Sequence, residues 1–509
     1  MNEGEKNMAG IGFHLKSLYE KETFSSRVKA YGYAGFITAG PWLSMVLSIA
    51  VIGWMLQAYH PVPYAEKELF LLSVSYSFIF SLMLHGLVQL VLTRYLADLL
   101  YEKRDKEVFA AFLGSSKLVG SAALLIGTVF CLFSPLPLLY KAVLLALFLT
   151  VNLIWLLMVF LTAAKFYQAV AYAFVAGTGT GAVLAFLFTR YALFPSTEHG
   201  PALNQLAGFT AGMAVTLVFL FQTLVRTFPE RGTEGQFAFL AYFDKYPTLA
   251  AIGFLYNASI WVCNWVIWYG EGSFTVASTF RFHTANDSAM FWAYLTIIPT
   301  LVSFLISVET RFYQSYRQFF GQVNNGGTLE QVEQARDGLY DVLKKELGKL
   351  LRNQGLVSLA IIGTAGFLTT LMNVNGVFVS LFRFTVVGAF ANAMLLVIMQ
   401  LMLYFDDRQG ALRSIMVFFG CNAGLSLLFL PLGYRGYGLG FALGSTLALI
   451  YAAIRFAEYL NEIDYYVYCR PGERERPAGR FHRLGGWLDK KAAPENRWSA
   501  TDQPKGYAG

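Results

Sequence analysis

Charged residues are scarce in this chain. Asp, Glu, Lys and Arg make up 14% of its 509 residues, whereas hydrophobic residues make up 56%. A soluble domain usually carries about 25% charged residues. The deficit therefore excludes a soluble protein built around one large core and is typical of a chain whose outer surface faces lipid.

Cysteines and catalytic motifs are also few. The four cysteines, Cys131, Cys263, Cys421 and Cys469, have spacings that fit neither a zinc site nor a disulfide framework. The chain has no Walker motif, so it does not hydrolyse ATP through a P-loop of its own. No Asp or Glu is evident in the middle of an apolar run, so a buried carboxylate for proton or sodium coupling is not visible. We therefore expect no catalytic residue, no metal and no cofactor.

The net charge of +7 raises the question of nucleic-acid binding. However, the basic residues lie between apolar blocks rather than in one patch. Membrane topology explains this distribution better than a nucleic-acid partner does, so no nucleic acid is expected.

Long apolar runs dominate the rest of the chain, and a helical span needs roughly 20 mostly apolar residues. The sequence predicts twelve spans in an all-α polytopic membrane protein. They cover about 32–57, 68–93, 109–133, 138–162, 167–189, 203–226, 247–269, 288–308, 354–374, 377–403, 411–434 and 436–460. The turn between spans nine and ten must be the short stretch "MNVNG", Met372 to Gly376.

The Lys and Arg residues predict the orientation. With the N-terminus inside, 32 of the 39 Lys and Arg residues fall in segments on the cytoplasmic side, and five fall outside. The positive-inside rule therefore places both termini in the cytoplasm, which implies a multi-pass protein of the cytoplasmic (inner) membrane.

The spans divide as six plus six, a common transporter plan. We expect five regions along the chain. They are an interfacial amphipathic segment at 1–31, a six-span bundle at 32–226, a cytoplasmic linker at 227–246, a second six-span bundle at 247–468 that contains a cytoplasmic helical insertion at 311–352, and a polar, disordered cytoplasmic tail at 469–509.

The insertion contains a well-formed amphipathic helix. Thr328 and Gln331 have the spacing of a capping box. One apolar stripe runs along it, formed by Val332, Leu339, Leu343, Leu347 and Leu350. The stripe must cover the membrane surface, the chain's own bundle or a docked partner, and we treat it as a candidate partner-docking helix.

Polar residues at membrane depth are candidates for a translocation path, since charge inside a span is rare. Arg383, Lys117 and His85 are the ionisable ones, although each could snorkel to an interface or make an interior hydrogen bond instead. The neutral amides could line a wet path or hold helices together. They include Asn257, Asn264, Asn392 and Gln400.

The first span begins with "YGYAGFITAGPWL", which is rich in residues that weaken a helix. Gly40 and Pro41 are therefore candidate hinges, with tight packing as the alternative. Pro299, in the eighth span, is the comparable interruption in the second half, although it does not occupy the matching position.

Two stretches could suggest enzymatic chemistry. The external loop before span eight carries His283 and Asp287, but no motif sets a nucleophile beside a base. The acidic pair of "YFDDRQGALR" lies in a short cytoplasmic turn, where Asp407 is better placed to cap the next helix and Arg408 to anchor the inner side.

Several motifs together resemble one family. They are "MAGIGFHLKSL", "AYGYAGFITAGPW", "FWAYLTIIPTLVSFLISVETRFYQSYRQFF", "GGTLEQVE" and "YFDDRQGALR". These stretches resemble the Pel exopolysaccharide export proteins, the PelG family, over roughly residues 8–468. The family is placed near the multidrug/oligosaccharidyl-lipid/polysaccharide (MOP) flippase superfamily, so the resemblance implies two six-helix bundles around a central cavity.

The resemblance also implies a substrate and partners. The substrate would be a Pel-like polymer rich in amino sugars, made by a cytosolic glycosyltransferase that works with other membrane proteins of the same system. The family carries no established catalytic residues to transfer. Two alternatives stay open: a flippase for lipid-linked oligosaccharides or a drug exporter of the same fold, and a membrane-embedded glycosyl- or acyltransferase.

Overall fold

The computed structural model describes residues 24–59, 61–194, 198–230, 232–371, 376–466 and 479–492. Most of the expected amphipathic segment at 1–31 and most of the turn at Met372 to Gly376 lie outside these residues. The two expectations therefore stay predictions.

Six long helices form the N-terminal half of the chain. They are α1 (Phe24–Tyr59), α2 (Tyr64–Tyr101), α3 (Asp105–Phe133), α4 (Leu138–Ala163), α5 (Tyr167–Arg190) and α6 (Gly200–Thr227). We call the end of the bundle at which α1 begins the inner end, and the opposite end the outer end.

A linker at the inner end contains a 3₁₀ turn (Ala238–Leu240) and the short helix α7 (Ala241–Lys245). The second half then contains α8 (Pro247–Ile267), a hairpin of strands β1 (Phe274–Val276) and β2 (Phe280–Phe282), α9 (Thr284–Leu295), α10 (Ile298–Ser307), a π-helical turn (Val308–Phe312), α11 (Tyr313–Asn324), α12 (Leu329–Leu371), α13 (Gly376–Tyr404), α14 (Arg408–Phe429), a 3₁₀ turn (Leu430–Arg435) and α15 (Leu439–Asn461). A last helix, α16 (Arg480–Ala492), follows.

Eleven helical stretches in the described part of the chain are long and apolar enough to cross a membrane. A helix is suited to that role because it satisfies all of its backbone hydrogen bonds internally. The ninth predicted span, 354–374, is not among the eleven, and its residues 354–371 form the end of α12. The chain is therefore a nearly all-helical, multi-pass membrane protein.

The two halves have separate apolar cores. One core unites buried residues of α1 to α6 with the linker and includes Phe160, Phe209 and Leu220. The other is built almost entirely from α8 to α15 and includes Leu395, Phe418 and Phe441. Each half is therefore packed mainly around its own residues.

Glycines allow the closest helix contact within the first half. A Cβ placed at Gly208 would lie 2.2 Å from the backbone nitrogen of Ala185, and one at Gly212 would lie 2.4 Å from Cα of Gly181. The pairs Gly177/Gly181 and Gly208/Gly212 each have the four-residue spacing of small residues that lets membrane helices approach. Glycine therefore stabilises the α5–α6 pair, although it weakens helices in water.

Two expected regions differ in the structure. The amphipathic insertion and the ninth span form one continuous 43-residue helix, α12, because no proline interrupts the sequence between them. The expected tail at 469–509 contains the helix α16, and the carboxylate of Asp244 in the linker accepts the backbone N–H of His482 in its first turn at 2.7 Å.

Candidate functional site

The two halves contact each other along a seam between α2 and α8. Gly86 and Gly253 face each other there, and a Cβ at Gly253 would lie only 2.1 Å from the carbonyl oxygen of Gly86. In the reverse direction, a Cβ at Gly86 would lie 2.5 Å from the carbonyl oxygen of Gly253. The backbones therefore touch at a point where no side chain fits.

Two path candidates lie beside this contact. The amide nitrogen of Asn257 would be 2.7 Å from a Cβ at Gly86 and donates to the carbonyl of Gly253 at 2.9 Å. His85 is 5% exposed, its ring lies 6.2 Å from that of Trp155, and its Nδ1 has no hydrogen-bond partner. Asn257 therefore lies on the α2–α8 seam, whereas His85 points into the first half.

Aromatic contacts extend the α2–α8 seam to the outer end. The rings of Tyr76 and Trp268 stack at 5.1 Å, and those of Phe80 and Trp265 stack at 6.2 Å. The hydroxyl of Tyr76 donates to the Arg281 carbonyl at 2.6 Å and accepts the Arg281 N–H at 3.0 Å. The hairpin of the second half is thereby fixed to α2.

The hairpin also enters the core of the first half. Phe280 is fully buried, packs at 4.9 Å on Tyr76, and belongs to the apolar core of α1 to α6. The loop between α3 and α4 adds a hydrogen bond of 2.9 Å between Ser134 and Thr279. This side of the molecule is therefore closed at the outer end.

A second seam joins α1 to α10 and is much smaller. Its buried cluster comprises only Ala34, Ile37, Val302 and Ile306. Farther toward the outer end, the rings of Trp42 and Phe291 lie 6.0 Å apart. Partly buried residues, among them Tyr31 and Tyr33, pack around this cluster, which is far smaller than the apolar cores of the two halves.

The candidate hinge at Gly40 and Pro41 lies within an unbroken helix. Helix α1 continues through both residues, and the hydroxyl of Ser44 donates to the Pro41 carbonyl at 2.8 Å. A Cβ at Gly40 would meet Phe36 at 3.5 Å and Ala171 at 3.8 Å, which are ordinary contacts. Tight packing therefore does not require glycine at position 40, and hinge motion there stays a prediction.

The helix is interrupted near Pro299, the other candidate hinge. Helix α9 ends at Leu295 and α10 begins at Ile298, with Pro299 in its first turn. Gln354, a buried residue of α12, donates to the Thr296 carbonyl at 3.1 Å and accepts a hydrogen bond from the Thr300 hydroxyl. The long helix α12 thus satisfies polar groups on both sides of the break.

Asn264 belongs to a cluster around Asp287 near the outer end. The carboxylate of Asp287 accepts hydrogen bonds from Asn264 Nδ2 at 2.8 Å, Trp268 Nε1 at 2.9 Å and the His283 backbone N–H at 3.0 Å. Both carboxylate oxygens accept hydrogen bonds from N–H groups. The hydrogens of these groups would repel a metal cation at the same oxygens. The cluster therefore ties α8 to the start of α9.

His283 caps helix α9 from the same cluster. Its Nδ1 accepts the Asn286 backbone N–H at 3.1 Å, and its Nε2 donates to the Glu271 carbonyl at 3.1 Å. Burial lowers the pKa of His283, so the neutral ring that this pattern requires is favoured at neutral pH. His283 and Asp287, the residues that a membrane-embedded transferase would use, thus serve as a helix cap and a hydrogen-bond acceptor.

Asn392 and Gln400 lie on α13, within the second half. Asn392 is 1% exposed and donates to the Tyr294 hydroxyl at 3.3 Å, while its Oδ1 has no partner. Gln400 is partly exposed, two turns nearer the inner end. No contact joins these two residues to each other or to Asn257 and Asn264 in the part of the chain that the structure describes, so the predicted amides do not converge on one point.

The two cations among the path candidates lie in different places. Lys117 is exposed and donates to the side-chain oxygen of Gln236 in the linker at 2.7 Å. Arg383 is also exposed and donates to the Ile362 carbonyl of α12 at 3.2 Å. The structure does not bring either one together with the amides, and a role in translocation stays a prediction for the whole set.

The candidate docking stripe is occupied by the chain itself. Val332, Leu339, Leu343 and Leu350 are at most 6% exposed, and Leu347 packs against the same core. Leu343, Leu347 and Leu350 border a small void together with Phe304 and Phe312. The expectation that this stripe binds a partner is therefore corrected: it anchors α12 to its own bundle.

The linker is fastened to both halves at the inner end. The ring of Tyr246 lies 5.7 Å from the Arg94 guanidinium of α2 and 4.8 Å from the Arg408 guanidinium of α14. Tyr242 donates to the Asp98 carboxylate at 2.8 Å, and burial together with this bond raises the pKa of its hydroxyl.

Asp407 caps helix α14, as the sequence predicts. Its carboxylate accepts a hydrogen bond from the Gly410 N–H at 3.0 Å.

Residues that could bind a metal do not cluster. Within the described ranges, no group of three or more His, Cys, Asp or Glu side chains is arranged to hold a metal ion.

Comparisons with solved structures identify the fold. A multidrug resistance MATE family transporter of the MOP superfamily in an outward-facing conformation matches with a TM-score of 0.59 and 15% identity, over 91% of this chain and 99% of that one. A MOP superfamily transporter from Pyrococcus furiosus, whose binding pocket is described as of reverse polarity, matches at 0.57 and 14% identity over 91% and 99%. The inward-facing conformation of a MATE transporter matches at 0.52 and 14% identity over 85% and 94%.

Among curated proteins, no match was found. The family model described as "PelG: Putative exopolysaccharide Exporter (EPS-E)" matches residues 8–468. The chain therefore shares the fold of these transporters and belongs to the PelG family of putative exopolysaccharide exporters.

Proposed function

We propose that this chain carries a Pel-like polysaccharide, rich in amino sugars, across the cytoplasmic membrane, and that it is a transporter rather than an enzyme. The observation that carries this function is the contact of two separately packed halves along two unequal seams. Membership of the exopolysaccharide exporter family supports the substrate class. Both termini then lie in the cytoplasm, as the distribution of Lys and Arg predicts.

The unequal seams suggest how a path opens. The α2–α8 seam, with its glycine contact and its inserted hairpin, acts as the axis about which the halves turn. The α1–α10 seam, which has the smaller buried cluster, parts to admit the polymer. The break before α10 allows this span to adjust while Gln354 holds its free carbonyl.

Synthesis by a cytosolic glycosyltransferase would push the chain through this path. Asp287, the buried acid at the start of the eighth predicted span, is saturated by N–H donors, which supports coupling to synthesis over coupling to a cation. The test is a strain that lacks this protein. We expect glycosyltransferase activity in its lysates but no secreted polymer, and normal secretion would exclude the function.

The rivals predict other outcomes. A drug exporter would drive uptake of a small cationic dye into reconstituted vesicles. A flippase would leave lipid-linked oligosaccharides on the cytoplasmic leaflet when it is absent. A transferase would lose product when His283 and Asp287 are both replaced by Ala even though the protein is correctly folded, whereas we expect the polymer to be made.

The exposed face of α12 is the proposed site for the synthase and other proteins of the synthesis complex. It carries Glu330, Glu333 and Asp337 early, and Lys344 and Lys345 later. Because these side chains face away from the buried stripe, reversing the charges of the three acids to Lys should weaken synthase binding by about tenfold. Pull-down of the glycosyltransferase from detergent extracts measures the effect.

The matched control reverses three cations at the outer end, Lys67, Arg190 and Arg435, to Glu. It should retain full synthase binding. Unchanged binding by the α12 variant would contradict docking on this face.

A further inference from the structure

Helix α16 lies outside the region that the family model matches, which ends at residue 468. One face of this helix is fixed to the linker. The Asp489 carboxylate accepts the Phe237 N–H at 3.0 Å, and the rings of Phe481 and Phe243 lie 5.7 Å apart. A Cβ at Gly485 would lie 2.8 Å from the Phe237 carbonyl oxygen, so the helix backbone packs closely on the linker at this residue.

The opposite face is exposed and combines cations with large apolar side chains. Leu484 is 43% exposed and Trp487 is 52% exposed. The cations that accompany them are Arg480, Arg483, Lys490 and Lys491. The only acid of the helix, Asp489, is on the fixed side, and Lys491 Nζ lies 4.1 Å from the centre of the Trp487 ring.

The position of α16 along the membrane normal follows from α3. A Cβ at Gly114 would lie 1.9 Å from the carbonyl oxygen of Gln236, next to the residue that Asp489 holds. Gly114 is nineteen residues before Phe133, the outer end of α3, which corresponds to about 28 Å at 1.5 Å per residue. A hydrocarbon layer is about 30 Å thick, so α16 lies at its inner boundary.

We propose that the exposed face of α16 binds the anionic headgroups of the inner leaflet, with Leu484 and Trp487 in the interface and the four cations among the phosphates. Tryptophan and cations are the residues that favour this layer, and basic segments next to a membrane bind anionic lipid. Since the other face holds the linker between the two halves, lipid binding fixes the linker at the membrane surface.

Hydrogen–deuterium exchange of the full chain tests this proposal. The protein is reconstituted in nanodiscs of phosphatidylcholine alone or with about one third phosphatidylglycerol. Amides of residues 480–492 should exchange about tenfold more slowly in the anionic bilayer. The variant R480Q/R483Q/K490Q/K491Q should lose this difference, whereas exchange in α3 should stay unchanged and report an intact fold.

The control K67Q/K141Q/R190Q/R435Q removes four cations at the outer end and should keep the lipid dependence of α16. A second variant, L484A/W487A, retains the charges and should lose part of the protection. Equal exchange in the two bilayers, or a lipid dependence that survives removal of the four α16 cations, would overturn the proposal and leave an acidic protein as the occupant of this face.

Discussion

Replacement of Gly253 by alanine is expected to abolish most export. The new Cβ would lie 2.1 Å from the Gly86 carbonyl oxygen, which belongs to the backbone and cannot turn away as a flexible side chain could. Overpacking of this kind costs roughly 1–3 kcal/mol, which corresponds to about a 5- to 140-fold change in the population of the closed seam. Secreted polymer, normalised to the amount of the protein in the membrane fraction, measures the effect.

Two further variants make this result specific. Gly86→Ala should behave like Gly253→Ala, because its Cβ would lie 2.5 Å from the Gly253 carbonyl oxygen. Gly120→Ala is the control, since no atom lies within 4 Å of a Cβ there and alanine favours helix by about 1 kcal/mol over glycine. Normal export by Gly253→Ala at normal abundance would show that the α2–α8 seam is not an axis.

Most of the fold could be predicted because the bilayer imposes one rule on every span. Apolar runs of about 20 residues correspond to α1 to α6, α8 and α13 to α15. Helix ends were less predictable, since α2 continues eight residues beyond the predicted end at 93, along the linker. The capping pair was correct: Thr328 N–H donates to Gln331 Oε1 at 3.0 Å, and Gln331 N–H donates to Thr328 Oγ1 at 3.3 Å.

The different effects of the two prolines, Pro41 and Pro299, could not be predicted from composition alone. A proline in an apolar run is compatible with a kink, a break or an uninterrupted helix, and only the partner decides. Pro41 lies within unbroken α1, whereas Pro299 follows a break whose freed carbonyl is bonded to Gln354. Gln354 lies 58 residues from Thr296, so no local pattern could pair them.

The contacts between the halves were missed for the same reason. Gly86 and Gly253 are visible as glycines within apolar runs, yet many glycines of this chain have no close neighbour, Gly120 and Gly179 among them. Periodicity likewise gives the stripe of α12 but cannot say that Phe304 and Phe312 cover it. The seams depend on pairs of residues from distant segments, which one sequence does not reveal.

The second large effect concerns the α1–α10 seam. A Cβ at Gly35 would lie 3.7 Å from Cγ2 of Val302, an atom at a position that the Sγ of a cysteine at residue 302 can take, so the two thiols of a double-cysteine variant come within reach of each other. The variant G35C/V302C should therefore cross-link under mild oxidation and lose nearly all export, because the halves can no longer part on this side. Polymer secretion is measured together with the fraction of cross-linked protein.

Reversal by a membrane-permeant reductant separates locking from misfolding. A misfolded variant would stay inactive, whereas a locked one regains export when the disulfide is reduced. The single variants Gly35→Cys and Val302→Cys control for the substitutions and should export normally under oxidation, since neither supplies a partner thiol at this seam. Export that continues while nearly all of the double variant is cross-linked would mean that the α1–α10 seam stays closed during transport and that the polymer passes elsewhere. Together with a defect in Gly253→Ala, that outcome would assign the moving contact to the α2–α8 seam.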